Sequence, residues 1–123
     1  KQGSGSIINI ASIAGLTSSA NGPFYAGYVS SKAGLIGLTR ELAASWGRKG
    51  IRVNAIAPGY METDNTSALR ADETRNRQIM ERIPAGRWGD ADDLSGAVVF
   101  LSSAASDYVQ GHVMVVDGGW MAR

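Results

Sequence analysis

Cysteine is absent from the 123-residue chain, and histidine occurs once, as His112. Without cysteine the chain can form neither a disulfide bond nor a thiolate zinc site, and it offers no cysteine nucleophile. One histidine is too few for an ordinary multi-histidine metal site. We therefore expect no bound metal and interpret His112 as a solvated or simply packed side chain.

The sequence also has no excess charge of one sign and no long hydrophobic run. Twelve Lys and Arg stand against 11 Asp and Glu, and the formal net charge is +1. This balance argues against nucleic acid and anionic membrane surfaces as partners. No apolar run approaches the ~20 residues that span a bilayer, and no secretory segment follows the first residues. We expect a cytoplasmic protein whose ligand is a small molecule.

Short apolar segments alternate with helical patterns along the chain. The predicted strands cover residues 7–11, 51–57 and 113–116. The predicted helices cover residues 25–48, 68–82 and a stretch from Asp90 or Asp92 to about residue 103. This alternation indicates the α/β class, a three-layer αβα arrangement with a parallel sheet between helices. Three strands make a small sheet with an exposed apolar edge, so the chain is expected to be part of a larger domain.

The first half of the predicted helix 25–48 is rich in small residues, among them Gly34 and Gly37. A glycine inside a helix costs roughly 0.5–1 kcal/mol relative to alanine. We expect close packing to offset that cost, with a sheet, another helix or a second subunit as the neighbour. Gly50 is predicted to end the helix.

Tyr28 and Lys32 are four residues apart, so a helix places them on the same face. A free tyrosine titrates near pH 10 and is a poor acid or base at neutral pH. A cation at about 6 Å, in an effective dielectric constant of about 20, favours a phenolate by roughly 3 kcal/mol. The pair is therefore a candidate general acid/base. The alternative is a packed tyrosine beside a solvated lysine, because such pairs arise by chance on many helices.

Ser12 follows the first predicted strand, where α/β proteins place ligand-binding groups. Its hydroxyl could hydrogen-bond a substrate carbonyl, or it could be an ordinary loop or cap residue. Pro58 and Gly59 follow the second predicted strand and have a similar alternative as a plain strand-ending turn.

Four segments that occur in order resemble one enzyme family. They are residues 8–12 (Ile-Asn-Ile-Ala-Ser), 28–34 (Tyr-x-x-Ser-Lys-Ala-Gly), 52–59 (Arg-Val-Asn-Ala-Ile-Ala-Pro-Gly) and 116–119 (Val-Asp-Gly-Gly). Together they resemble the C-terminal half of the short-chain dehydrogenases/reductases, and the likeness covers essentially the whole chain. It implies the C-terminal half of a Rossmann-like doubly wound parallel sheet, NAD or NADP as cofactor, and a homo-oligomer, by family resemblance a tetramer.

The resemblance also implies the catalytic roles. Tyr28 would transfer the proton between enzyme and substrate, and Ser12 would polarise the substrate carbonyl. Lys32 would favour the ionised form of the Tyr28 phenol, and both of these side chains would lie against the nicotinamide ribose. Hydride would pass between the cofactor and a secondary alcohol or ketone.

The cofactor contacts implied by the resemblance follow the second strand. Pro58, Gly59 and the segment to Thr63 would line the nicotinamide and its phosphates. Backbone groups at Met61 would contact the carboxamide.

The spacing of the catalytic residues departs from the family pattern. The family's usual gap of 13 residues leads from Ser12 to Tyr25, which has valine instead of lysine four residues later. We interpret a three-residue insertion between Ser12 and Tyr25, and assign Tyr28 as the catalytic tyrosine. Tyr25 is then expected to be packed, with a place in the pocket as the alternative. Ser18 and Ser19 remain alternative contacts for the carbonyl.

The second departure is that three functional features of the family are absent from this sequence. The glycine-rich turn for the pyrophosphate, the residue that separates NAD from NADP, and the family's catalytic asparagine would all precede Lys1. We therefore expect residues 1–123 to be the C-terminal part of a single domain, as a fragment or as one part of a split protein. A hypothesis of a different class is that the chain alone is catalytically inert and acts as an assembly partner.

Further segments resemble the sugar-acid branch of the family, which implies a small hydroxylated carboxylate as substrate. They are residues 57–66, 69–73, 82–89, 105–112 and 117–123. Arg87 could face the carboxylate, because a guanidinium binds one through two parallel hydrogen bonds, but loop carbonyls or a neighbouring subunit are the preferred partners. Trp120 and Arg123 are expected in a subunit contact. The alternatives within the class are a 3-oxoacyl reductase and a steroid or polyol dehydrogenase.

Overall fold

The computed structural model describes residues 2–18 and 25–123. Within these ranges, strands and helices alternate and are joined by short 3-10 turns. In chain order the elements are β1 (Gly5–Ile10), α1 (Ala26–Trp46), β2 (Ile51–Pro58), α2 (Ser67–Ala71), α3 (Glu73–Arg82), α4 (Ser95–Ser102) and β3 (Val113–Val116). The three predicted strands are confirmed, with small shifts at their ends.

The three strands form one parallel sheet in the order β1-β2-β3. Gly5 lies opposite Ile51 at one end of the β1–β2 ladder, and Pro58 lies opposite Val116 at the other end of the β2–β3 ladder. Residues 53–57 of β2 have no exposed surface. A central strand buried on both faces is typical of parallel sheets, and the predicted parallel sheet is confirmed.

Helices cover both faces of this sheet. Successive residues of a strand point to opposite faces. Ala55 of β2 packs with Ile36 of α1, whereas Arg52 points the other way and donates to the Leu101 carbonyl of α4, at 2.8 Å. Helices α1 and α4 therefore lie on opposite faces, which confirms the three-layer arrangement.

The predicted single helix over residues 68–82 is wrong, because Asp72 divides it into α2 and α3. The backbone of Asp72 is extended, with φ −80° and ψ 105°, and its carboxylate accepts the Arg75 N–H at 3.0 Å. Aspartate favours this N-cap role over a helix interior, since its side chain competes for backbone N–H groups. The break leaves α3 as a separate ten-residue helix.

The predicted helix near residue 90 has Asp90 as its cap, not Asp92. The Asp90 carboxylate accepts the N–H groups of Asp92 and Asp93, at 2.8 and 3.2 Å. A 3-10 turn over Ala91–Leu94 comes first, and α4 follows it.

Helix α1 is the longest helix, with 21 residues, and the 3-10 turn Gly47–Lys49 continues it to Gly50. Gly50 has φ +79°, and a Cβ there would lie 2.6 Å from the Gly3 carbonyl oxygen, so glycine is required. A Cβ at Gly34 or Gly37 would meet no atom within 4 Å. Of the neighbours left open, the sheet and the helices of the described residues are therefore excluded for these two glycines, and a second subunit remains. Neither α1 nor another helix of the described residues is long and apolar enough to span a bilayer.

Candidate active site

The carboxyl ends of the three strands meet at one edge of the sheet, because the strands are parallel. Open α/β sheets bind ligands in the crevice outside this edge. The predicted site residues Ser12, Pro58 and Gly59 lie at the ends of β1 and β2. The segment 116–119 leaves the same edge from β3, so the fold brings three of the four sequence motifs together.

Ser12 is a nearly buried residue that caps a turn. It is 9% exposed, and its Oγ accepts the Ala14 N–H, at 3.1 Å, at the start of the 3-10 turn Ile13–Gly15. The cap role is therefore present. A hydroxyl that accepts a hydrogen bond still has its own hydrogen to donate, so contact with a substrate carbonyl remains open and stays a prediction.

Gly15 connects the Ser12 turn to α1. A Cβ at Gly15 would lie 2.8 Å from the Lys32 carbonyl carbon and 2.9 Å from Ile36 Cδ1. The turn thus packs directly on the helical turn that carries Lys32. The sequence analysis missed this position; its signal is a glycine three residues after Ser12, facing a helix rich in small residues.

Lys32 lies between the end of β1 and the ring of Tyr28. Its Nζ is 5.7 Å from the centroid of the Tyr28 ring and donates to the Ile10 carbonyl at 3.0 Å. Tyr28 is 50% exposed, so its phenol is accessible from solvent. The structure therefore brings Tyr28 and Lys32 together, and the interpretation as a packed tyrosine beside a solvated lysine does not hold.

Tyr25, Ser18 and Ser19 were the alternative site residues near Ser12 and Tyr28. Tyr25 is 51% exposed, so the expectation that it is packed is wrong, and a place in the pocket remains as the other interpretation. Ser18 is exposed. Ser19 lies outside the described residues.

Pro58 and Gly59 are more than a plain turn, because Gly59 packs closely against the end of β3. The Gly59 N–H donates to the Val116 carbonyl at 2.9 Å. A Cβ on Gly59 would lie 2.7 Å from Asp117 Cα, so only glycine fits. The Asp117 carboxylate in turn accepts the N–H of Gly119 at 2.8 Å.

The segment after Gly59 is held in place by backbone hydrogen bonds. Met61 forms an isolated parallel bridge with Gly89, which uses the Tyr60 carbonyl, at 2.9 Å, and the Glu62 N–H, at 2.7 Å. The N–H of Met61 takes no part in this bridge. Thr63 is exposed. The predicted cofactor contacts from Pro58 to Thr63 thus form one continuous segment at the carboxyl edge.

An aromatic cluster lies beside this segment. The ring of Tyr60 is 5.4 Å from Trp88, edge to face, and 4.5 Å from Trp120. Trp120 is 7% exposed and packs in the core with Ile13. The expected subunit contact for Trp120 is therefore wrong, because this chain itself buries the indole.

The two arginines singled out from the sequence are both used within the chain. Arg87 forms two hydrogen bonds of 2.7 Å to the Asp93 carboxylate and a third to the Trp88 carbonyl at 3.0 Å. The hydrogen bond from Arg87 lowers the pKa of the Asp93 carboxyl well below its usual range. Arg123 donates to the Arg82 carbonyl at 3.3 Å. The loop role of Arg87 is therefore the one that the structure favours.

Tyr60 lies within the segment predicted to line the nicotinamide, but no role was predicted for its phenol. Burial raises its pKa above the ordinary value, while the charges of Arg82 and Arg75 act in the opposite direction. A cavity of about 150 Å³ lies between Tyr60, Met61 and the residues that follow β3. Within residues 2–18 and 25–123, no cluster of His, Cys, Asp or Glu could hold a metal ion.

The chain is similar to known proteins over nearly its whole length. A family model described as enoyl-(acyl carrier protein) reductase matches residues 1–121. The 2-dehydro-3-deoxy-D-gluconate 5-dehydrogenase of Bacillus subtilis is 55% identical over 123 residues, which are 100% of this chain and 47% of that protein. The chain thus spans about half the length of the curated relatives it matches.

Solved structures share the same fold. A crystal structure from Agrobacterium tumefaciens with bound NADP is 57% identical, with a TM-score of 0.91 over 98% of this chain and 48% of that one. A gluconate 5-dehydrogenase from Burkholderia cenocepacia, in complex with NADP and tartrate, is 43% identical, with a TM-score of 0.91 over 98% of this chain and 46% of that one.

Proposed function

Since the chain belongs to the short-chain dehydrogenase/reductase family, we propose that it carries the catalytic residues of an oxidoreductase. The reaction is hydride transfer between NAD or NADP and a secondary alcohol or ketone of a small sugar acid. The observation that carries the proposal is the Lys32 ammonium, 5.7 Å from the Tyr28 ring, at the carboxyl edge of the sheet. The sugar-acid substrate is supported by the 55% identity to a 2-dehydro-3-deoxy-D-gluconate 5-dehydrogenase.

In this proposal, residues 1–123 are the C-terminal part of one domain. An N-terminal half that binds the phosphates of the cofactor completes the domain. The curated relative from Bacillus subtilis is about twice as long as this chain. Among the described residues β1 pairs only with β2, and its Ile7 and Ile10 are 37% and 47% exposed. "Full-length protein" below means this chain together with that half.

The residues at the carboxyl edge fit a nicotinamide nucleotide, because they offer a cation and an uncommitted backbone donor. Lys32 would hold the ribose hydroxyls, and the N–H of Met61, which its bridge leaves unused, would bind the carboxamide. Pro58, Gly59 and Thr63 would border the nicotinamide and its phosphates. When bound, the cofactor supplies or accepts the hydride.

The chain's own residues supply the proton chemistry. Ser12 Oγ accepts from the Ala14 N–H, so its hydrogen points elsewhere and can donate to the substrate oxygen. Tyr28 gives its proton to that oxygen in reduction and takes one in oxidation. Lys32, held by the Ile10 carbonyl, would place its positive charge near the ring of Tyr28.

The outer face of α1 is the proposed contact between subunits of a homotetramer. Gly27, Gly34 and Gly37 leave that face open, since a Cβ at each would meet no atom within 4 Å. Leu38 beside them is 49% exposed. Closely packed helices from a second subunit would offset the helix cost of these glycines.

A second candidate is the reduction of an enoyl thioester, which the description of the matching family model favours, or of the related 3-oxoacyl thioester. An assay of the full-length protein separates the two. With NAD or NADP we expect oxidation of 2-dehydro-3-deoxygluconate or of gluconate, and with NADH or NADPH we expect little reduction of an acetoacetyl or a crotonyl thioester. Thioester reduction with no turnover of either sugar acid would reject the sugar-acid assignment. The Tyr28→Phe variant, assayed in parallel, sets the background rate.

A further inference from the structure

The inner face of α3 carries two arginines on either side of a buried isoleucine. Arg75, Ile79 and Arg82 are spaced by four and three residues, so they share one helical face. Ile79 is 5% exposed and belongs to the same core cluster as Trp120. The two arginines lie about 10 Å apart along the helix axis, at 1.5 Å per residue.

This face of α3 packs on the two loops that carry the proposed site. Ile13, directly after Ser12, belongs to the cluster that contains Ile79, and Tyr60, directly after Gly59, packs against it. The cluster therefore joins α3 to the end of β1 and to the end of β2. Groups at the rim of this cluster lie beside the carboxyl edge of the sheet.

Arg82 and Tyr60 are held by the same indole. The Arg82 guanidinium carbon lies 4.0 Å from the centroid of the Trp120 ring, and the Tyr60 ring lies 4.5 Å from it. The charges of Arg82 and Arg75 both act on the Tyr60 phenol and oppose the rise in its pKa that burial causes. Arg82 and the partly buried Tyr60 thus share contact with the Trp120 indole, and Arg75 lies on the same face of α3 as Arg82.

Three arginines near Arg75 and Arg82 in the sequence have acidic partners. The pairs are Arg70 with Glu62 at 3.9 Å, Arg77 with Glu81 at 4.0 Å, and Arg87 with Asp93 at 2.7 Å. In the part of the chain that the structure describes, Arg75 and Arg82 have no carboxylate within 4 Å. Partly buried cations without a counter-ion attract an anion.

We propose that Arg75 and Arg82, together with the Tyr60 hydroxyl, form a subsite for the carboxylate of the substrate. The proposal rests on the proposed function and assigns carboxylate recognition to residues of that same site. Guanidinium groups bind carboxylates through charge-assisted hydrogen bonds, and a phenol adds a neutral donor. Arg87, for which this role was the less favoured alternative from the sequence, is committed to Asp93.

The test compares three single variants of the full-length protein: Arg75→Gln, Arg82→Gln and, as the matched control, Arg77→Gln. Arg77 is on the same helix, but two residues from Arg75 and so on a different face. The substrates are a sugar acid and its uncharged carboxamide. We expect Arg75→Gln and Arg82→Gln to raise KM for the acid about 10-fold or more, the scale of a lost hydrogen bond to a charged group. KM for the carboxamide, KM for the cofactor, and all constants of Arg77→Gln should stay within about 2-fold.

Unchanged KM values for the acid in both Arg75→Gln and Arg82→Gln overturn the proposal. Arg82→Gln also removes the stacking on Trp120, so Arg82→Lys is included to keep the charge and lose the two-pronged geometry; we expect an intermediate KM. If the wild type turns over only uncharged ketones, the sugar-acid function fails. In that case, inhibition by tartrate tests the carboxylate subsite independently of the substrate. Weaker inhibition of Arg75→Gln and Arg82→Gln than of the wild type and Arg77→Gln supports the subsite, and equal inhibition rejects it.

Discussion

At the scale of single residues, one hydrogen bond positions the cation on which the proposed chemistry depends. Lysine side chains are flexible, but Lys32 Nζ donates to the Ile10 carbonyl at 3.0 Å, which holds it near the ring of Tyr28. Tyr25, one helical turn earlier, has no lysine four residues later. The electrostatic environment therefore distinguishes two tyrosines that are equally exposed, and it favours Tyr28 as the proton carrier.

Replacing Tyr28 with phenylalanine should separate proton transfer from binding. In the full-length protein we expect Tyr28→Phe to lower kcat by about 10²-fold or more, the contribution of a lost general acid/base. Cofactor affinity, measured by fluorescence titration, should be nearly unchanged. Tyr25→Phe is the matched control and should keep most of the activity. The opposite result, an active Tyr28→Phe and an inactive Tyr25→Phe, would assign the role to Tyr25.

At the scale of elements, Arg52 joins the central strand to α4. Its side chain is only 15% exposed. It donates to the carbonyls of Leu101 and Ser103, at 2.8 and 3.1 Å, and to Ser106 Oγ at 2.7 Å. Carbonyls at the end of a helix have no partner within the helix. The Arg52 guanidinium binds them together with Ser6 Oγ, which donates to the Leu101 carbonyl at 2.7 Å, and so joins α4 to the sheet.

Removing the Arg52 guanidinium should therefore destabilise the fold. We expect Arg52→Met to lower the free energy of unfolding of the full-length protein by about 2–4 kcal/mol, because it removes the three hydrogen bonds of a partly buried charged group. Urea unfolding followed by circular dichroism measures the change. Arg48→Met, at an exposed position, should change the free energy by less than about 0.5 kcal/mol. Equal effects of the two substitutions would contradict the role of Arg52.

At the scale of the whole molecule, the sheet brings distant segments to one edge, and its outer surfaces leave room for more structure. Gly59 after β2 fits against Asp117 after β3, so the two motifs depend on each other. On the outside, the apolar residues of β1 and the glycine face of α1 stay uncovered by the described residues. The active enzyme is therefore proposed to need both a further half of the domain and further subunits.

The subunit contact can be tested with a larger side chain on α1. A leucine at Gly37 meets no atom of its own chain within 4 Å at the Cβ, so the subunit itself should tolerate Gly37→Leu. We expect the substitution to shift the full-length protein from tetramers to smaller species in sedimentation analysis. Gln78→Leu, at an exposed position of α3, is the control. Unchanged tetramers in Gly37→Leu would place the contact elsewhere.

Much of the fold was predictable, because its signals are local. Apolar strands, glycine at position 50 and the spacing of Tyr28 and Lys32 depend on neighbours within a few residues. The break at Asp72 was missed although its signal is also local, since an aspartate inside a helical pattern can equally start a new helix. The exposure of Tyr25 and the burial of Trp120 were predicted wrongly, because burial depends on contacts far along the chain.

By itself, the sequence determined the α/β class, the parallel sheet and the shared face of Tyr28 and Lys32, since periodicity and spacing encode them directly. Only the tertiary structure decided which charges are already paired. Arg87 finds Asp93 six residues away, whereas Arg82 stacks on Trp120, which comes from another part of the chain. Electrostatic partners are set by distance in space, and a linear sequence does not contain that distance.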